Sequence, residues 1–177
     1  LALPQMAAWA QQQLYPEVAI NISADNLREF EFASRLLNRL QHFRLDPSQL
    51  ILELTETSVM NEAVTSLDIL IRLRMRGVRL SIDDFGTGYS SLSQLHRIPF
   101  SELKIDQKFV DRCVYEPESQ AIVETCIMLG HKLGMLVTAE GVELPEIAQK
   151  LHLLGCDKGQ GYLWSKPVPA ETATEFL

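Results

Sequence analysis

Five carboxylates, two side-chain amides and one lysine are the groups in this chain that could do joint chemistry. They are Glu53, Asp83, Asp84, Asp106 and Glu140, with Asn21, Gln160 and Lys104. Oxygen ligands gathered without histidine or cysteine favour a hard divalent cation, Mg²⁺ or Mn²⁺ rather than zinc. The adjacent Asp83 and Asp84 could each face a different ion with Asp83 bridging, an arrangement that serves in-line displacement at a phosphoryl group. Lys104 would either stabilise developing phosphate charge or handle a proton. Singly, each residue has an ordinary structural reading: Glu53 as a solvent-facing strand residue, Asp83-Asp84 as turn chemistry, Asn21 as a cap, Gln160 between two glycines as a loop. What changes the balance is that all of them fall at the ends of strand-like segments.

Those segments are residues 18–23, 50–55, 78–83, 102–106, 135–140 and 158–162, short apolar runs separated by helical patterns. The cycle of about 25 to 30 residues over much of the chain is the mark of βα units. Gly77, Gly134 and Gly155 stand where helix C-termini should fall, and Asp46-Pro47 reads as the cap of a short turn. Alternation within each run sorts side chains onto two faces. One face is apolar (Leu50, Leu52, Leu54; Val78, Leu80, Ile82; Leu103, Ile105), whereas the other ends in Asn21 and Ser23, Glu53, Asp83, Lys104 and Asp106, or Glu140. A doubly wound sheet covered on both sides wants both sets apolar, whereas a parallel barrel gathers polar groups at the C-terminal mouth of its strands. The fold expected is therefore α/β, a TIM-like (β/α) barrel, with residues 1–177 as one domain. Such barrels have eight strands in about 250 residues. Six strands predict a barrel incomplete at its N-terminus, with its first strands before Leu1.

Composition narrows the classes further. With 46% hydrophobic and 22% charged residues the chain is neither disordered nor fibrous. No apolar run approaches the roughly 20 residues of a membrane span. The three cysteines, Cys113, Cys126 and Cys156, are odd in number and set among apolar neighbours, as the reduced thiols of a cytoplasmic domain would be. A net charge of −7 argues against a nucleic-acid polymer or an anionic membrane as partner, so a phosphate ligand would need metal ions. His42, His96, His131 and His152 lack metal-ligand spacing and read as helix-surface residues or satisfied polar contacts. Gly86-Thr87-Gly88 lacks both the P-loop ending and the dinucleotide glycine spacing, and reads as a flexible active-site loop.

Six segments, in this order, resemble the EAL-domain family of bacterial cyclic di-GMP phosphodiesterases: Asn21-Ile22-Ser23, Glu53-Leu54-Thr55-Glu56, Asp83-Asp84-Phe85-Gly86-Thr87-Gly88-Tyr89-Ser90-Ser91-Leu92, Leu103-Lys104-Ile105-Asp106, Ala139-Glu140-Gly141-Val142-Glu143 and Gly159-Gln160-Gly161-Tyr162. The resemblance implies that Asn21, Glu53 and Asp83 bind one Mg²⁺ or Mn²⁺ ion and Asp83 with Asp84 a second. It implies that Glu140 supports the water at the metal or acts as base, and that Lys104, Asp106 and Gln160 complete the catalytic site. Glu56 would anchor the loop after Asp84, which in the family couples the site to a homodimer interface. The implied reaction is hydrolysis of cyclic di-GMP to linear pGpG, under an upstream regulatory domain that could itself be membrane-anchored. The Glu-Ala-Leu strand that names the family is absent, and with it one ligating Glu, a substrate-contacting Arg and the first strands. The chain alone is therefore expected to hydrolyse poorly or not at all. Two other functions compete: a non-catalytic cyclic di-GMP sensor or interaction module of the same fold, and an unrelated metal-dependent barrel lyase.

Overall fold

The computed structural model describes residues 1–56, 58, 64–87, 95 and 97–177. Helix α1 (Ala2–Gln11) leads into β1 (Val18–Asn21), α2 (Ala24–Arg28), α3 (Phe32–His42), β2 (Leu50–Thr55), α4 (Val64–Met75) and β3 (Arg79–Phe85). The second half runs β4 (Glu102–Ile105), α5 (Gln107–Val110), α6 (Pro117–Lys132), β5 (Leu136–Ala139), α7 (Pro145–Leu153), β6 (Lys158–Gly159) and α8 (Ala170–Ala173). All six strands pair in parallel and in chain order, β1-β2-β3-β4-β5-β6.

Pairing in chain order decides the architecture. Parallel crossovers share one hand, so a sheet that always grows in the same direction sends every helical connection over the same face. The opposite face turns inward as the sheet curls, which makes a barrel wall and leaves no switch point. Burial agrees: Leu50, Leu52, Leu54, Leu80, Ile82, Leu103, Ile105 and Val137 are shut off from solvent within one apolar core. Glu53, Ser81, Glu102, Lys104 and Thr138 are also buried, and alternation puts them on the other face. The chain forms the expected incomplete TIM-like barrel, with β1 and β6 at the two edges of the described sheet.

Three strand ends differ from expectation by two residues or more, each for a local reason, and the others by at most one. Strand β1 stops at Asn21 because the Ser23 backbone N–H and hydroxyl both donate to Asn26 Oδ1 at 3.1 Å, so Ser23 caps α2 instead of extending the strand. Strand β6 stops at Gly159, well before residue 162, because the chain turns to clamp another segment. There the Val142 N–H donates to the Gln160 carbonyl and the Leu163 N–H to the Val142 carbonyl, each at 3.0 Å. Gly161 lies so close to the Val142 backbone that a Cβ would collide with it. Strand β3 instead runs on to Phe85, through a bulge described below.

The two edge strands are tied to each other across the interior. Glu17, just ahead of β1, pairs with Arg79 of β3 and with Lys158 of β6, the latter at 3.3 Å. Lys158 also reaches Glu102 at 3.7 Å, and Glu102 accepts the Thr138 hydroxyl at 2.5 Å. Outside the sheet, the Trp9 indole of α1 donates to the Thr174 hydroxyl beyond α8 at 2.7 Å.

Candidate metal centre

Strands β2 and β4 bring Glu53 and Lys104 together on the inward face. The Lys104 Nζ lies 2.7 Å from Glu53 Oε1, 2.5 Å from Glu140 Oε1 and 3.4 Å from Asp83 Oδ1. One ammonium, 4% exposed, thus joins carboxylates carried by β2, by β3 and by the residue after β5. Burial works against its charge. Hydrogen bonds and Coulombic attraction from Glu140 and Glu53 outweigh burial and hold it well above the usual lysine range. Lys104 is therefore a fixed cation at neutral pH.

Strict alternation would send the adjacent Asp83 and Asp84 to opposite faces. The register slips between Ile82, opposite Leu103, and Phe85, opposite Ile105, so β3 carries one residue more than β4 over this stretch. Asp84 takes up the difference with φ of +56°, a left-handed conformation that Asp tolerates better than most residues. With Asp84 turned back, Asp83, Asp84 and Glu140 each place a carboxylate oxygen within 4.8 Å of the others. The buried Asp83 Oδ1 has no hydrogen-bond partner among the described residues. Burial raises the Asp84 pKa, with Asp83 and Asp106 adding to the rise and Lys108 opposing it. Burial also pushes Glu140 up to about 7 against the pull of Lys104, with Asp83 and Glu53 adding to the rise. Asp84 and Glu140, which resist ionising, stand around an Asp83 oxygen that meets the Lys104 ammonium at 3.4 Å but accepts no hydrogen bond among the described residues. This all-oxygen donor set fits a hard divalent cation.

The remaining sequence-predicted residues take their places around this cluster. Asn21 ends the edge strand β1 in register with Glu53 and is exposed. Asp106 lies past the end of β4 and caps α5, accepting the Lys108 N–H at 2.7 Å, so it has a structural task as well as its closeness to Asp84. Gln160 is held by its own N–H donating to the Ala139 carbonyl at 2.8 Å, and the Glu140 N–H donates to the Ile105 carbonyl at 3.1 Å. Glu56 is buried and accepts the Gly86 N–H at 3.1 Å. Residues 88–92 of the loop segment, and His96, lie outside the described residues.

A cavity of about 670 Å³ opens beside the cluster, lined by Asp84, Asp106, Glu140 and Gln160. That volume suits a small-molecule ligand. The same wall includes Gln107, Lys108 and Asp111, which sequence reasoning did not single out. Their signal was available, since they follow Asp106 on a single helical turn and a half. Tyr162 and Glu143, also on this wall, stood inside the quoted segments without a role. Away from the site, His131 is satisfied by Asp157 at 2.9 Å, and the three cysteines are free, with Cys113 and Cys126 buried.

Fold and site define a class: a parallel α/β half-barrel with an acidic, lysine-bridged centre at the C-terminal ends of its strands, suited to a hard divalent ion. The chain belongs to the EAL domain family, whose model matches residues 1–167. It is 44% identical over 154 residues to the bifunctional diguanylate cyclase/cyclic di-GMP phosphodiesterase MucR of Pseudomonas aeruginosa, covering 87% of this chain and 22% of that protein. The solved MucR phosphodiesterase in complex with c-di-GMP matches with a TM-score of 0.90 at 41% identity, over 97% of this chain and 70% of that one. The manganese/cy-diGMP complex of Klebsiella pneumoniae BlrP1 matches with a TM-score of 0.85 at 33% identity, over 94% of this chain and 42% of that one. A calcium/cy-diGMP complex of the same protein matches equally well. The chain thus spans about a fifth of the curated MucR and well under the full length of the BlrP1 chain.

Proposed function

We propose that this chain carries the centre of a divalent-metal-dependent phosphodiesterase that opens one phosphodiester of cyclic di-GMP to give linear pGpG. The observation that carries the reading is the convergence of Asp83, Asp84 and Glu140, each with a carboxylate oxygen within 4.8 Å of the others. The substrate is suggested by the activity in the name of MucR and by the nucleotide in the MucR and BlrP1 complexes.

Asn21, Glu53 and Asp83 would hold one Mg²⁺ or Mn²⁺ ion and Asp83 with Asp84 the other, with Glu140 contributing. When bound, the two ions would supply a nucleophilic water at neutral pH and neutralise phosphoryl oxygens. Glu140, with a carboxylate oxygen within 4.8 Å of those of Asp83 and Asp84, is placed to take a proton from the attacking water. Lys104, held charged by Glu53 and Glu140, serves as a fixed positive group and not as a proton donor. Asp106 and Gln160 line the cavity and orient the diester. Glu56 anchors the loop after Asp84, through which two copies of the domain would meet. Turnover by this chain alone would be slow, because the family resemblance places a further ligating Glu on a strand that the 177 residues do not include. In the whole protein, an upstream domain in the cytoplasm or at the membrane would set the rate.

Incubation of the chain, extended by the N-terminal strands that the family resemblance expects, with cyclic di-GMP and Mn²⁺, with products resolved by anion exchange, tests the reading. A pGpG peak should grow with time, and Glu53→Ala should reduce its rate on the order of 100-fold. Saturable nucleotide binding with no product in either form would mark a sensor and sink the enzyme reading.

A further inference from the structure

On the outer wall, where α3 and α4 lead towards β2 and β3, the two helices do not meet through apolar side chains alone. They leave a cleft of about 490 Å³ between them. One side is a stripe from α3, Ser34, Asn38 and Gln41, spaced i, i+4 and i+7 so that the three share a helix face. The other side is Arg72 of α4 and Arg76 just beyond it, again four apart. Leu37, Leu40, Leu45 and Pro47 add an apolar floor. Among the described residues, no carboxylate lines the cleft. That absence extends along the chain: residues 32–45 and 69–78 together carry six arginines and neither Asp nor Glu, within a protein of net charge −7.

Arg72 is already aimed. Its Nη2 donates to Ser34 Oγ at 3.3 Å, and its Cζ stands 5.9 Å from the centroid of the Phe30 ring. A guanidinium held by a hydroxyl and an aromatic face loses little freedom when it closes on an anion, and its planar fork matches phosphate oxygens. Arg76 is exposed at the rim, where it can add a second charge. The neutral donors of the α3 stripe, Ser34, Asn38 and Gln41, suit the remaining phosphate oxygens, while the leucines and Pro47 suit an apolar or aromatic portion of the same ligand.

We propose that this cleft is a binding site for a small phosphate-bearing metabolite with an aromatic part, separate from the metal centre. Concavity and the apolar floor favour a small molecule over an anionic macromolecule, which would be met by projecting cations and repelled by the overall charge. The volume lies within the range of small-ligand sites. This assignment does not depend on the phosphodiesterase reading.

Isothermal titration of the 177-residue chain with adenosine monophosphate and with inorganic pyrophosphate, in EDTA so that the carboxylate cluster repels anions, tests it. One saturable site is expected. Arg72→Met should weaken it about tenfold or more, the cost of a charge-assisted contact. Asn38→Asp, which adds a carboxylate to the cleft from an exposed position, should weaken it comparably and keeps the test sound if Arg72→Met unfolds the chain. Arg39→Met, on α3 but outside the lining, should leave affinity unchanged. Equal weakening by Arg39→Met would show a diffuse basic surface, and binding of an RNA oligomer without either small probe would show a macromolecular face. Either result overturns the proposal, as does absence of saturable binding.

Discussion

At the scale of single residues, the cluster is governed by how few positive charges stand among its carboxylates. Lys104 is the one buried cation among the described residues there, and removing it leaves Glu53 and Glu140 facing each other without compensation. Lys104→Met should therefore lower stability by roughly 3–5 kcal/mol in EDTA. Added Mn²⁺ should recover a large part of the loss, both effects being read from thermal melts. Glu140 offers a second test. Its folded-state pKa of about 7 lies above the ordinary carboxylate value, so the folded metal-free chain keeps a proton that the unfolded chain has released. Stability contributed by that protonated form is present at low pH and is lost as pH rises through 7. A divalent ion must displace the same proton, so Mn²⁺ affinity should rise by up to about tenfold per pH unit below 7 and level off above it. Electron paramagnetic resonance of free Mn²⁺ from pH 5.5 to 8.5 reads the slope, which Glu140→Gln should abolish.

Between residues and the whole lie the elements that aim them. Helix α6 approaches β5 so closely at Gly130 that a Cβ there would strike the buried Val137 side chain. Alanine improves helix propensity by about 1 kcal/mol, but overpacking costs about 1–3 kcal/mol, so Gly130→Ala should be destabilising on balance in a denaturant titration. The β3 bulge and the loop that follows it depend on a different contact. Glu56, at the end of β2, fixes the first residue of that loop through the Gly86 N–H. Glu56→Ala should speed hydrogen exchange of the Gly86 amide by at least tenfold while the β5 amides keep their protection. Loss of a buried hydrogen bond of this kind costs about 1–3 kcal/mol, enough to release a loop without unfolding a barrel.

For the whole molecule, the decisive feature is a curled sheet with two edges. Glu17 links those edges through Lys158, and the pair is partly exposed, so the tie contributes no more than about 1 kcal/mol and weakens with salt. Exposed ladder groups on β1 and β6 are templates for further strands. The 177-residue chain should consequently self-associate as concentration rises, read by sedimentation velocity. A version extended by the strands that the family resemblance expects should sediment as a smaller species and melt at a higher temperature. Unchanged sedimentation on extension would place the association elsewhere, such as the loop after Asp84.

Much of this was legible from the order of residues alone. Period-two alternation in 50–55 and 102–106 identified the buried and polar faces, since a strand's side-chain geometry is local. The same pattern named Lys104 together with Glu53 and Glu140, the two carboxylates now found against its ammonium. Other features were not legible, because they arise from contacts between segments far apart in the chain. Alternation alone separates Asp83 from Asp84, and only the register slip against β4 turns both toward the same mouth. Gln160 looked like a strand residue until the Val142 backbone, close against Gly161, claimed its carbonyl. The raised pKa of Glu140 and the fixed charge of Lys104 come from burial and from neighbours on other strands, which no local pattern encodes. Sequence by itself determined which side chains of the regularly alternating strands face inward, because that follows from one strand's own geometry. Tertiary structure decided which of them meet and in what charge state, because those depend on distances between strands.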